Sequence, residues 1–104
     1  MKPELQFDAA EAPLVRDYTS ELERLVSFPV NDSVSLDEWY RRAAAFREIT
    51  YSRFRSLYDR LPHELEHYLD DADIRLKDAG YKAVQDEFIT NLLLKLRTAA
   101  SKSD

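Results

Sequence analysis

Between Ser35 and Leu61, Leu36, Trp39, Ala43, Phe46, Thr50, Phe54, Leu57 and Leu61 recur at intervals of three and four residues. At about 100° per residue they share one stripe, the pattern of a helix that buries a single face. Neither glycine nor proline interrupts the run before Pro62. The spacing therefore predicts one helix of about 39 Å at ~1.5 Å per residue. Ser35 followed by Glu38 matches a capping box, in which each side chain takes an orphan N–H of the first turn. The remaining segments are short enough to pack against this spine.

A first helix is expected from Ala9 or Pro13 to Phe28, with Leu14, Tyr18, Leu22 and Leu25 on its apolar face, widened by Val15 and Val26. Proline near the first turn loses nothing, because the N–H it lacks has no partner there. Pro29 stops that helix, and residues 30–34 form a connection. Pro62 should break the spine, since its ring clashes with the preceding turn and it has no N–H to donate. Helical spacing resumes with Leu65, Tyr68, Leu69, Ala72, Leu76 and Ala79. Asp71 before Arg75 and Asp73 before Lys77 are i,i+4 pairs of the kind that support an exposed helix. Gly80 is the expected C-terminal cap. A last helix over residues 81–99 carries Tyr81, Val84, Phe88, Ile89, Leu92, Leu93 and Leu96.

The expected fold is all-α, an antiparallel four-helix bundle; the alternative is three long helices, with residues 62–99 a single rod bent near Pro62. Residues 1–8 and 101–104 are expected to be loosely ordered, with Leu5 or Phe7 pinning the leader. At 104 residues with 44% hydrophobic side chains, the chain reads as one domain with a core of its own.

Composition removes several function classes. No cysteine means no disulfide framework and no thiolate zinc site. One glycine cannot supply the close backbone approach to phosphate that dinucleotide folds and P-loops require. The net charge of −5 disfavours nonspecific binding to nucleic acid or an anionic membrane. No apolar run is long enough for a signal peptide or a membrane span, and a cytoplasmic location is expected. Charge is uneven: residues 36–61 hold six arginines against four acids, and residues 62–79 hold six acids against two bases.

One motif carries candidate chemistry. His63-Glu64-Leu65-Glu66-His67 fits H-E-x-x-H, in which two imidazoles one turn apart hold zinc and the glutamate activates its water. Glu87 is the candidate third ligand for a metal-dependent hydrolase, with Asp70 or Asp71 as substitutes. The context opposes it. Pro62 puts the motif in an opening turn, and no strand is at hand to hold substrate. Both histidines also lie roughly 145–185° from the stripe of Leu65, Leu69 and Leu76, facing water rather than a dry pocket. Glu64 and His67 form the E-x-x-H pair of di-iron bundles, but the chain has no second copy. A solvated helix face is the preferred reading, with no cofactor.

Two rows flank the stripe. Arg42, Arg53 and Arg60 recur at spacings of 11 and 7, and Tyr40, Tyr51 and Tyr58 repeat the same spacings on the opposite edge. Packing alone would pair the arginines with the acids of residues 64–73 and lay the tyrosines under a neighbouring helix. The functional alternative is a contact surface, because Tyr and Arg are the side chains most enriched at interface hot spots. Ile74 and Leu94 fall on otherwise polar faces and together suggest a seam. The function expected from these features is that of a small acidic, non-catalytic protein–protein interaction module. Its type would be an adaptor, inhibitor, antitoxin or immunity protein, and its partner another protein or a second copy in a homodimer. The metal-dependent hydrolase is the alternative.

Overall fold

The computed structural model describes residues 5–101. The tails expected to be loose therefore lie partly outside the described residues, at positions 1–4 and 102–104. Leu5 and Phe7 pack against the core. Six α-helices and no strand occur among the described residues: α1 (Ala12–Val26), α2 (Ser33–Arg53), α3 (Arg55–Tyr58), α4 (Glu64–Asp70), α5 (Ala72–Lys77) and α6 (Ala79–Ser101), with a 3-10 turn at Ala9–Glu11 before the first.

The helices close a ring of four positions. α1 packs on α2 and on α6, while α4 and α5 together bridge α2 and α6 on the far side. Side-chain pairings run antiparallel between α1 and α2, between α2 and α4, and between α1 and α6. Arg53 at the end of α2 meets Asp17 near the start of α1. Trp39 reaches Leu69, whereas Arg47, further along α2, reaches back to Glu66. Arg97 near the end of α6 meets Glu23 near the end of α1, and Arg16 bonds the Ala100 carbonyl. The expected all-α bundle is thus present, with its third position divided into two short helices.

The core follows the stripes. Val15, Tyr18, Leu22 and Leu25 of α1 meet Trp39, Ala43 and Phe46 of α2, then Leu65, Tyr68 and Leu69 of α4 and Ile89, Leu92, Leu93 and Leu96 of α6. Their combined burial is the main term that opposes chain entropy. Thr19 and Thr50 are buried with their hydroxyls satisfied, because each donates to the carbonyl four residues back.

Several boundaries differ from expectation. α2 begins at Ser33 and not Ser35; Asp32 is its cap, taking the Ser35 N–H at 2.8 Å, and Ser35 Oγ returns to the Asp32 N–H. Glu38, expected in that box, instead holds Arg41 and Arg42. The spine ends at Arg53 and not at Leu61, with a break at the fully buried Phe54 rather than at Pro62. From there Leu57, Arg60 and Leu61 bond carbonyls three residues back, in a tightened turn. This turn keeps Leu57 buried and brings Arg60 to Glu11 at the foot of α1. A straight rod would have carried both beyond their neighbour.

Residues 62–99 are neither one helix nor one bent rod, since the chain breaks at Asp71 and again at Asp78. Gly80 is not a C-cap; it lies in the first turn of α6 with no left-handed backbone, and Asp78 caps that turn by accepting the Tyr81 N–H at 3.0 Å. Val84, assigned to the apolar face of α6, is 66% exposed, and Gln85 is buried in its place. The expected i,i+4 pairs are absent too. Asp71 takes the Tyr81 hydroxyl, Asp73 takes that of Tyr40, and Arg75 turns into the core.

The Glu11–Arg60 pair predicts an acid-dependent step. Arg60, with help from the Asp8 N–H, holds the Glu11 carboxyl down from an ordinary 4.5 to about 2. A carboxyl whose pKa is lowered by folding stabilises the protein above its unfolded pKa, and that contribution fades as pH falls from 4.5 toward 2. Glu11→Gln should therefore lower Tm at about pH 6 and match the wild type near pH 2. A Tm difference that is constant across that window would show that the pair is not what titrates.

Candidate functional site

The arginine row is consumed inside the chain. Arg42 bonds Glu38 of its own helix and sits 4.4 Å from the Phe28 ring centroid. Arg53 bonds Asp17 at 2.6 Å, and Arg60 forks onto Glu11 while lying 4.8 Å from the Phe7 ring centroid. None of the three uses the acids of residues 64–73, as packing had been expected to arrange. That role falls to Arg47, which bonds Glu66 at 3.1 Å and Asp70 at 2.7 Å and raised no signal beyond being one arginine among many.

The tyrosine row divides. Tyr40 bonds the Asp70 carbonyl and the Asp73 carboxylate, both at 3.1 Å, so it ties α2 to the α4–α5 junction. Tyr51 and Tyr58 do come together, one on each side of the break at Phe54. Their ring centroids are 5.3 Å apart at 38°, with the hydroxyls 3.5 Å apart. That contact and nearby carboxylates raise the Tyr58 hydroxyl pKa. Tyr51 remains 49% exposed, while Tyr58 is half-buried.

Beside this pair lies a cavity of about 290 Å³ between α2, the Asp59–His63 turn and α4. Phe46, Leu61, Pro62, Leu65 and Leu69 make its apolar walls. Arg47, Asp59, His63 and Glu66 stand with the two tyrosines as its polar lining. Tyr18 of α1 completes the wall. It is fully buried, packed edge-on to Phe54 and tilted against Phe46, yet its hydroxyl has no hydrogen-bond partner among the described residues. Burial first, and the Glu66 carboxylate second, push that hydroxyl pKa well up, so it stays protonated. Sequence pattern placed Tyr18 in the core but carries no sign that its hydroxyl goes unpaired, which depends on what faces it from other helices.

The H-E-x-x-H residues are where phase put them. His63 and His67 are exposed, edge to face with ring centroids 5.4 Å apart. Glu87 is exposed on α6 and does not join them, and among the described residues no three His, Cys, Asp or Glu side chains are grouped to hold a metal ion.

A second cluster escaped the sequence reading. The break at Asp71 exposes carbonyls of the last turn of α4, and three of them receive side-chain donors. Arg75 Nη1 serves Tyr68 at 2.5 Å, Trp39 Nε1 serves Leu69 at 3.1 Å, and the Tyr40 hydroxyl serves Asp70. Arg75 also bonds Gln85 Oε1 at 2.5 Å and lies 3.9 Å from the Tyr68 ring centroid and 5.3 Å from that of Trp39. Gln85 continues through Tyr81 to Asp71. Desolvation lowers the Arg75 pKa, partly offset by Tyr68, Asp86 and Asp71. These residues hold the α4–α5–α6 corner together.

No helix among the described residues is long and apolar enough to cross a membrane. Comparison of the chain with known protein families, curated proteins and solved structures returns no match.

Proposed function

We propose that this chain is a non-catalytic protein–protein interaction module of the adaptor, inhibitor, antitoxin or immunity type, acting by covering a partner's surface. The observation that carries this reading is the Tyr51–Tyr58 pair, a large aromatic surface left half in water while the neighbouring arginines are paired internally. Lysine or glutamate normally covers such a flank, keeping its charge wet over an apolar stem. Tyrosine instead offers broad amphipathic area at little entropic cost, which suits a face that becomes dry on contact. The partner is another protein or a second copy; a two-fold pair would place the same patch on both subunits.

Tyr51→Glu should weaken association by about 2 kcal/mol or more, the scale of a hot-spot residue. It should change folding stability by less than about 1 kcal/mol, because the ring tip is already wet. Sedimentation equilibrium of wild type and variant tests the second copy. A photo-crosslinking residue placed at position 51, compared with one at Leu94 in the cells that make the protein, tests a different partner. Absence of both self-association and a position-51 adduct would refute the reading.

A further inference from the structure

We infer that the cavity between the α1–α2 connection, α5 and the first turns of α6 binds a free monocarboxylic acid with an apolar body, its carboxylate seated on the Nε–Nη2 edge of Arg75. This site is separate from the Tyr51–Tyr58 surface and does not depend on a protein partner being found there.

The starting point is an arginine whose hydrogen bonding is half complete. Arg75 is 8% exposed, and both of its bonds, to the Tyr68 carbonyl and to Gln85 Oε1, leave from Nη1. Among the described residues, Nε and Nη2 have no hydrogen-bond partner and Arg75 joins no ion pair. Neither nitrogen is sealed in, since the Tyr18 hydroxyl is the one fully buried side-chain polar atom without a partner in that set. Arg75 forms part of the cavity wall together with Trp39 and Tyr68, the two rings its guanidinium lies over.

A guanidinium this far from water is ordinarily paired with a carboxylate. Its Nε–Nη2 edge offers two parallel N–H donors that match the two oxygens of one carboxylate. The acids that act on Arg75 electrostatically are held elsewhere: Asp86 bonds Lys82 at 2.5 Å, and Asp71 takes the Tyr81 hydroxyl. The edge that a carboxylate would occupy is therefore left to a ligand.

Charge and shape define that ligand. Arg75 and Lys82 against Asp86 leave the wall one net positive charge, on a chain whose net charge is −5. One carboxylate balances it, whereas a phosphate dianion would bring a charge with no partner. The cavity holds about 500 Å³, within the roughly 300–1,000 Å³ of small-molecule sites. Phe28, Val30, Ala72 and Leu76 join the two rings as apolar wall, which calls for an apolar body behind the head group.

Trp39, the only tryptophan, reports occupancy by fluorescence because it lines the cavity. Octanoate should shift its emission and move the amide signals of Val30, Leu76 and Lys82 in the full chain. It should bind about tenfold more tightly than octanamide, which has the same body without the charge. Acetate and inorganic phosphate, head groups without a body, should bind more weakly than octanoate by about tenfold or more. Asp86→Asn removes the carboxylate of the wall and should tighten octanoate about threefold while leaving octanamide unchanged. Arg75→Lys should cut the preference for octanoate to below about threefold, because an ammonium has no fork. The Asp86 variant keeps the test open if the Arg75 variant does not fold. Equal affinity for octanoate and octanamide, phosphate or acetate binding as tightly as octanoate, no effect of Asp86→Asn, or shifts confined to another face would overturn the assignment. Tighter binding of N-acetyl-alanyl-leucine than of octanoate would also overturn it, in favour of a peptide C-terminus.

Discussion

Trp39→Ala is expected to cost about 3–5 kcal/mol of folding free energy, as truncation of a large core aromatic does. Trp39 is 1% exposed and joins two helices at once. Its ring stands edge-on to Tyr68 at 5.7 Å between centroids, and its indole N–H closes the Leu69 carbonyl at the end of α4. The substitution leaves a void against α4 and an acceptor without its donor. For a domain whose total stability is of the order of 5–15 kcal/mol, that loss leaves little reserve at 37 °C. Denaturant unfolding of the two proteins measures it. Trp39→Phe should cost less than the alanine variant, about 1–3 kcal/mol, because it keeps an aromatic ring while losing the N–H and part of the indole volume. A loss below about 1 kcal/mol for the alanine variant would mean that the ring does not pack as described.

Arg75→Ala should cost about 3 kcal/mol, from two acceptors left unpaired in the interior and a cation withdrawn from two ring faces. The acceptors are the Tyr68 carbonyl and Gln85 Oε1. Arg75→Lys should recover less than half, since an ammonium has neither the planar fork nor the stacking face of a guanidinium. Trp39 and Arg75 are in contact, so the double variant should lose less than the sum of the single ones. Unfolding free energies from all four proteins decide this. Strict additivity, or full rescue by lysine, would show that Arg75 acts as a general positive charge rather than as a cap on α4.

Much of the candidate site could not be read along the chain. Periodicity placed Tyr51 and Tyr58 on one edge, and they do meet, but through a backbone turn at Phe54 that no proline or glycine announces. Tyr40 shares their spacing yet belongs to a different corner, because the α4 helix ends where its hydroxyl can reach a carbonyl. The outward phase of His63 and His67 was legible, as it depends only on the 3.6-residue repeat and the position of the leucines. Spacing puts Arg75 in an exposed pair with Asp71 and says nothing of Gln85, yet the two are buried together and satisfy each other.

The sequence by itself determined that the chain is helical, that α1, α2, α4 and α6 bury most of the apolar positions that spacing marks on them, and that phosphate-binding glycine loops and cysteine chemistry are excluded. Those conclusions rest on local rules: the period of the helix, the conformational reach of glycine and the identity of the side chains. Tertiary structure alone decided where the helices break, which polar side chains enter the core, and which tyrosines face a common cavity. Breaks at Phe54 and Asp71 follow from the need to bury Leu57 and to bring α4 and α5 between α2 and α6. Local propensity differs by less than about 1 kcal/mol per residue among ordinary side chains, whereas burying one large apolar group contributes about 1.5–3 kcal/mol. Where the two conflict, packing sets the boundary, and the cavity walled by Tyr18, Tyr51 and Tyr58 draws one ring from each of three helices.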